Sequence, residues 1–322
     1  MTSGRLTMIA RDARIGQVPA YVRRAAGLPF LKQADFLPTI AAEERERLAS
    51  FSRGFDTRPP AIFIHGVLPR SGTNFISDAL SLHARVAQNP GDLWEFPLLS
   101  TAASAAALER DFLARAPGGR ELKGGLEFLA LLAGAWMDRL QRQVGERTMV
   151  FKSPHMQNIG LFRAIFPRDY LIVCIRDGRD IAESSARTFG KGLGRKTLLQ
   201  IADEWGYATE SALTFEKNGA NADGRSIVVR FEELVRDAPG VMRRLLAHCG
   251  LDSDDFDFEG LGKLRVRGSS AFKGAPEERW QPVEKDAAFD PVGRWRTWSP
   301  AKKALFHWRA GKTLERAGYS LD

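Results

Sequence analysis

This sequence predicts an α/β fold: three layers around a mainly parallel sheet, with a P-loop-like anion-binding loop. Three observations lead there. Four short apolar runs, about 61 to 65, 147 to 151, 170 to 175 and 226 to 231, have strand length. Stretches with helical spacing separate them, and alternating strands and helices build layered α/β domains. The first run breaks into a tight polar loop that opens a helix, the layout of an anion site.

Residues 1 to 60 read as an N-terminal helical extension, and 61 to 322 as one domain with a helical insert at about 99 to 145. Val18 to Pro29 mixes basic and apolar residues and reads as a packed helix, with a membrane surface as the second option. Ala41 to Ser50 reads as an exposed charged helix, and Arg58-Pro59-Pro60 as a stiff lead-in to the first strand.

That strand, Ala61 to His65, breaks at Gly66, stiffens at Pro69 and reaches Arg70-Ser71-Gly72-Thr73-Asn74. The chain then turns helical, with Ile76 and Leu80 four apart on one face. The first N–H groups of a helix lack internal partners, and the helix dipole adds positive charge there. Gly72 lets an anion approach the backbone, Ser71 and Thr73 add hydroxyls, and Arg70 adds a forked charge. The nucleotide-triphosphate loop, G-x-x-x-x-G-K-S/T, does not fit. Gly66 and Gly72 are one residue too far apart, and Thr73 stands where lysine should.

The helix runs to about His83, and Gln88 to Pro97 follows as an aromatic loop carrying Asp92 and Glu95. A carboxylate beside aromatic rings can be held at a raised pKa, which suits a general base; a solvated surface loop has the same composition. An Ala-rich helix at 99 to 116, a glycine joint after Pro117 and a helix to about Gln143 come next, expected to lie over the site. The second strand ends in Lys152, Ser153 and His155. The third, Tyr170 to Ile175, ends at Arg176-Asp177-Gly178-Arg179-Asp180 and opens a helix containing Ser184. Ligands of open parallel sheets bind beyond the carboxyl ends of strands, so Arg176 and Ser184 can face one anion. A fourth strand reaches Phe231, and a last helix, Pro300 to Ala317, stops at Gly318.

The 322 residues carry a formal net charge of +8 and are 44% hydrophobic, enough for a substantial core. The charge favours anionic ligands but is spread along the chain, so no nucleic-acid partner is expected. Cys174 and Cys249 lack zinc-ligand spacing and read as reduced thiols. With no apolar run of about 20 residues and no signal-peptide pattern, a cytoplasmic location is expected.

These motifs resemble those of sulfotransferases that use 3′-phosphoadenosine 5′-phosphosulfate (PAPS). Pro69-Arg70-Ser71-Gly72-Thr73 resembles that family's 5′-phosphosulfate loop, with the basic residue two before the glycine. Lys152-Ser153-Pro154, then Phe166-Pro167, an apolar strand and Arg176-Asp177-x-Arg179-Asp180-x-x-x-Ser184 resemble its 3′-phosphate segment. In that family the strand-terminal arginine and the serine eight residues later hold the 3′-phosphate. Gly178 replaces the usual proline, which is expected to matter little. Ser226 to Pro239 resembles the strand and turn that follow, with Phe231 in place of tyrosine. Gly293-Arg294-Trp295-Arg296 resembles the glycine-aspartate-tryptophan-lysine segment; Arg267-Gly268 and Lys273-Gly274 are distant substitutes for the arginine-lysine-glycine upstream of it. The likeness covers about residues 60 to 320 and is closer to bacterial and tyrosylprotein-type members than to the cytosolic branch.

The resemblance implies sulfuryl transfer from PAPS to a nucleophile, most often a hydroxyl, with adenosine 3′,5′-bisphosphate as product. It implies no metal, since Ile175-Arg176-Asp177 has no clear magnesium-binding carboxylate. Arg70, Ser71, Gly72, Thr73 and Asn74 would surround the 5′-phosphosulfate, and Arg176 with Ser184 the 3′-phosphate. Phe75 would stack on adenine or be an ordinary core residue, and Trp205 reads as core. Arg70 and Lys152 are the catalytic cations. Glu95 is the first choice of base, then Asp92, then His155, because Pro154 stands where the cytosolic branch places its histidine. The acceptor is expected to be a carbohydrate, lipid-linked glycan or small molecule, and membrane-surface association fits a lipid-linked one. The rival readings are a P-loop kinase using magnesium and ATP, and a non-catalytic relative that docks an acidic glycan.

Overall fold

The computed structural model describes residues 40 to 322 except 56, 117–124, 189–195, 218–223, 268–281, 283 and 285–289. The expected helix at Val18 to Pro29, the joint after Pro117, Gly268 and Lys273-Gly274 lie outside the described residues. Helix α1, Ala42–Arg53, leads into strand β1, Ile62–Gly66. Helix α2, Thr73–Leu80, follows, then a short strand β2, Val86–Gln88. Helices α3, Ala102–Arg115, and α4, Glu127–Val144, precede strand β3, Thr148–Ser153. A one-turn helix α5, Phe162–Ile165, leads to strand β4, Tyr170–Ile175. Then come helices α6, Gly178–Thr188, and α7, Leu198–Lys217, and strand β5, Ser226–Arg230. Helices α8, Phe231–Arg236, α9, Ala238–His248, α10, Phe258–Lys263, and α11, Pro300–Arg316, complete the order.

The five strands are ordered β2-β3-β1-β4-β5, with every neighbouring pair parallel. The four expected strands are all present within a few residues; β2 is an addition. Strands β1, β3 and β4 are buried on both faces, as a parallel sheet's inner strands require. Period-two alternation sends Ile62 and Ile64 to one face and Phe63 to the other. On one face Ile62, Ile64, Val150 and Ile172 meet α2, α8 and α9. On the other, Phe63 stacks on Phe151 with ring centroids 5.2 Å apart and meets Phe166 at 4.5 Å, beneath α1, α4, α6 and α7. The result is three layers.

A buried ion pair ties the lead-in of β1 to the start of β4. The Arg58 guanidinium donates twice to the Asp169 carboxylate, at 2.7 Å each, and the Ala61 N–H donates to it at 2.6 Å. The expected exposed helix at 41 to 50 is instead amphipathic. Leu48, Ala49 and Ser52 of α1 are buried, and the Ser52 hydroxyl donates to the Ala164 carbonyl at 2.7 Å. Its charges occupy the outer face, and composition alone hides the inner stripe. No helix among the described residues is long and apolar enough to cross a membrane.

Candidate functional site

Beyond the carboxyl ends of β1, β3 and β4 a cleft opens, lined by Pro69, Arg70, Gly72, Thr73, Asn74 and Phe75 on one side. The loop closes on itself before α2 begins. The Ser71 hydroxyl donates to the Leu68 carbonyl at 2.7 Å and accepts from the Leu68 N–H at 3.1 Å. Ser71 is therefore fully buried, its N–H also bonds Leu68, and it does not line the cleft. It shapes the turn instead of offering a hydroxyl to a ligand, which corrects the role expected for it. Gly72 caps α2 at φ 104°, and no side chain caps the helix, so its first N–H groups face the cleft. A Cβ at Gly72 would lie 2.3 Å from the Phe231 ring, so only glycine fits.

Arg70 also has a positive φ of 82°, and its Nε donates to the Ser184 hydroxyl at 3.0 Å. The two phosphate motifs thus meet across the cleft, 114 residues apart. Arg176 stands at the end of β4. Its Nη1 donates to the Arg70 carbonyl at 2.8 Å and its Nη2 to the Pro291 carbonyl at 2.6 Å, while its guanidinium covers the Phe231 ring at 4.3 Å. Its Nε is buried and has no partner among the described residues. Burial works against its charge, with Asp180 and Glu232 opposing that effect. Phe231, where tyrosine is usual, therefore works through its ring against Gly72 and Arg176.

The neighbours of Arg176 serve the scaffold. Arg179 pairs with Asp177 at 2.8 Å and stacks over Trp295 at 3.4 Å. The Asp180 carboxylate accepts from the N–H groups of Gly293 and Trp295, which brings Arg294 to the cleft wall. Trp205 is core, as expected, and its Nε1 donates to the Arg176 carbonyl at 2.9 Å. Its ring would lie 2.5 Å from a Cβ at Gly178, so the glycine there matters after all. Phe75 is half-buried, lines the cleft and packs against the second core.

Like Pro154, Glu95 also lines the cleft, and it is exposed. Its loop is fastened along β3: the Phe96 N–H donates to the Lys152 carbonyl at 2.9 Å, and the Asn158 amide donates to the Leu99 carbonyl at 2.9 Å. Lys152 is buried, and burial lowers its pKa against the opposing pull of Glu95 and then Asp78. Burial also holds His155 below its ordinary value, with Glu95 opposing and Lys196 adding to the shift. Asp92 is exposed at φ 57° and does not line the cleft. No described residue of 99 to 145 lines the cleft, and the helical pair expected over the site packs beside the sheet instead.

Asp78 and Arg294 escaped sequence reasoning. Asp78 lies one turn after Asn74 on α2, so the helical period puts it on the same face. Its carboxylate accepts from Gln88 Nε2 at 2.7 Å and pairs with Arg267 Nε at 3.3 Å. Burial raises its pKa, against Gln88, Arg267 and Lys152. The signal for Arg294 was the Gly293 to Arg296 segment, whose arginine was not assigned to the site.

An uncapped helix start and a wall of arginines make a cleft built for a polyanion beside a carboxylate. The sulfotransferase family model matches residues 60–255, and the chain belongs to that family. Its fold is similar to the sulfotransferase domain of the Synechococcus PCC 7002 olefin synthase, at 21% identity, over 82% of this chain and 96% of that one, with a TM-score of 0.55. It is also similar to the sulfotransferase domain from the curacin biosynthetic pathway, at 17% identity, over 83% of this chain and 100% of that one, with a TM-score of 0.50. No curated protein matches it in sequence.

Proposed function

We propose that this enzyme transfers the sulfuryl group of PAPS to a hydroxyl of an acceptor, with Glu95 as the base. The observation that carries the reading is Arg176: pinned by two carbonyls and the Phe231 ring, it keeps a buried Nε with no partner among the described residues. A buried unpaired donor is costly unless a ligand completes it. When bound, PAPS supplies an activated sulfuryl group and a 3′-phosphate. Arg176, Ser184 and Arg294 hold the 3′-phosphate. Arg70, Gly72, Thr73, Asn74 and the open start of α2 hold the 5′ end. Arg70 and Lys152 offset the negative charge that develops as the transfer proceeds. Glu95 accepts the proton that the acceptor hydroxyl gives up. These cations do the work for which a kinase recruits a metal, so the reaction needs none. Carbohydrates, lipid-linked glycans and small molecules are all within the proposed acceptor range.

A thermal-shift panel tests the reading against its rivals. Adenosine 3′,5′-bisphosphate without metal is expected to raise the melting temperature. At a hundredfold excess over its Kd it adds about 2.7 kcal/mol. Stabilisation by ATP with magnesium alone would point to a kinase, and stabilisation by heparin alone to a binding protein.

A further inference from the structure

Arg265, Val266 and Arg267 line the cleft, and the contacts of Arg267 place it beside Trp94, the neighbour of Glu95. Arg267 is held from two sides. Its Nε pairs with Asp78 at 3.3 Å, and its guanidinium lies over the ring of Trp94, next to Glu95, at 5.3 Å. Among the described residues, nothing accepts from its two terminal nitrogens. A guanidinium fixed at Nε and on its face is pre-oriented, and its remaining edge matches a carboxylate or phosphate bidentately.

The nearby acids do not fill that edge. Asp78 is engaged by Arg267 Nε and Gln88, and Glu95 lies beside Lys152. Among the described residues Arg265 pairs only with the exposed Glu284, at 3.2 Å, a weak competitor for its charge. The nucleotide end has its own cations in Arg70, Arg176 and Arg294, so this pair is surplus to the donor.

We propose that the acceptor carries an oxyanion, a carboxylate or a phosphate, which docks on the terminal nitrogens of Arg267 with Arg265 beside it. The hydroxyl to be sulfated then sits within reach of Glu95, one loop position from Trp94. Asp78 is the positioning residue that aims Arg267. This proposal rests on the donor reading above.

The test uses the full chain saturated with adenosine 3′,5′-bisphosphate, which blocks the nucleotide end. Binding of two hydroxyl-bearing anions, glycerol 3-phosphate and 4-hydroxybenzoate, is compared by calorimetry with their neutral counterparts, glycerol and 4-hydroxybenzamide. At least one anion is expected to bind roughly tenfold or more tighter than its neutral partner, the worth of one charge-assisted pair. Which one does so separates the phosphate source from the carboxylate. Arg267→Ala is expected to erase the preference and Arg267→Lys to restore part of it, with bisphosphate affinity unchanged in both. The idea is overturned if the neutral probes bind as well as the anions, if neither anion binds, or if Arg267→Ala leaves the preference intact. It is also overturned if Arg267→Ala weakens the bisphosphate instead, because Arg267 then serves the donor. A chain that binds no bisphosphate at all sinks the donor reading itself, a result read before any acceptor probe is added.

Discussion

In the proposed reaction Arg176 serves the nucleotide and Glu95 the acceptor, and single substitutions separate these roles. Arg176→Ala removes a charge-assisted donor to the proposed 3′-phosphate. It is expected to weaken adenosine 3′,5′-bisphosphate by about 1.5–3 kcal/mol while leaving AMP, which lacks that group, much less affected. Titration of both nucleotides checks this, and equal losses would show that Arg176 does not read the 3′ position. Glu95→Gln keeps the shape and removes the basicity. Single-turnover rates are expected to fall roughly 10²- to 10⁴-fold, the usual share of general base catalysis, with bisphosphate affinity nearly unchanged. Asp92→Asn is the silent control, since that carboxylate lies off the cleft wall. A dead His155→Gln beside a normal Glu95→Gln would transfer the role to the histidine, whose depressed pKa keeps it neutral and able to accept a proton.

Strand β1 leads into the loop that carries Arg70, and one of its own residues is expected to make that strand sensitive to acid. His65 is buried, its Nδ1 lies 2.8 Å from the His155 carbonyl, and burial lowers its pKa to about 4. The unfolded chain protonates the same imidazole near its ordinary value of 6.5. Between these values the unfolded state binds the extra proton, so stability falls as pH drops from about 6.5 towards about 4. The integrated loss is on the order of 3 kcal/mol. Denaturant midpoints measured across this window are expected to show that slope, and His65→Gln to flatten it. An unchanged slope in the variant would assign the acid sensitivity to other groups. The same strand shows why loop and helix work together: Ser71 closes the turn on Leu68, and α2 starts uncapped at Gly72.

The sheet as a whole depends on the pair that joins its two central strands. Arg58 and Asp169 are 7% and 0% exposed, and Asp169 also accepts from the Ala61 N–H. Asp169→Ala leaves a buried arginine without its partner, expected to cost about 3–5 kcal/mol in chemical denaturation. The double variant Arg58→Met with Asp169→Leu is expected to recover much of that loss, because two apolar groups leave no buried charge behind. If the double variant is as unstable as the single one, the Ala61 hydrogen bond carries the effect instead. Both cores flank this junction, so the loss should reach the whole domain.

Much of this protein was legible in the chain because the parts proposed to bind phosphate are local. A strand, a glycine turn and the open start of a helix need only consecutive residues, and Arg176 and Ser184 share one strand-to-helix passage. The four longer strands stood out by apolar runs. Strand β2 did not, because three residues carry no periodicity and their pairing with β3 is a property of the assembled sheet. Composition also concealed the buried stripe of α1, which is defined only by what packs against it.

The rest of the cleft comes from contacts between distant segments. Parallel register sets β1 beside β4, and that alignment lets Arg70 reach Ser184 and Arg176 reach the Arg70 carbonyl. The turn after β5 swings the Phe231 ring onto Gly72, and Asp180 draws in the segment bearing Arg294. Asp78 meets Arg267, which lies beyond the end of the matched region. Residue types and local spacing can announce a phosphate loop, because backbone N–H groups and a nearby arginine are enough to make one. They cannot announce which distant side chains will share its walls, because that follows from strand order and crossover geometry, and these are settled only when apolar faces are buried together.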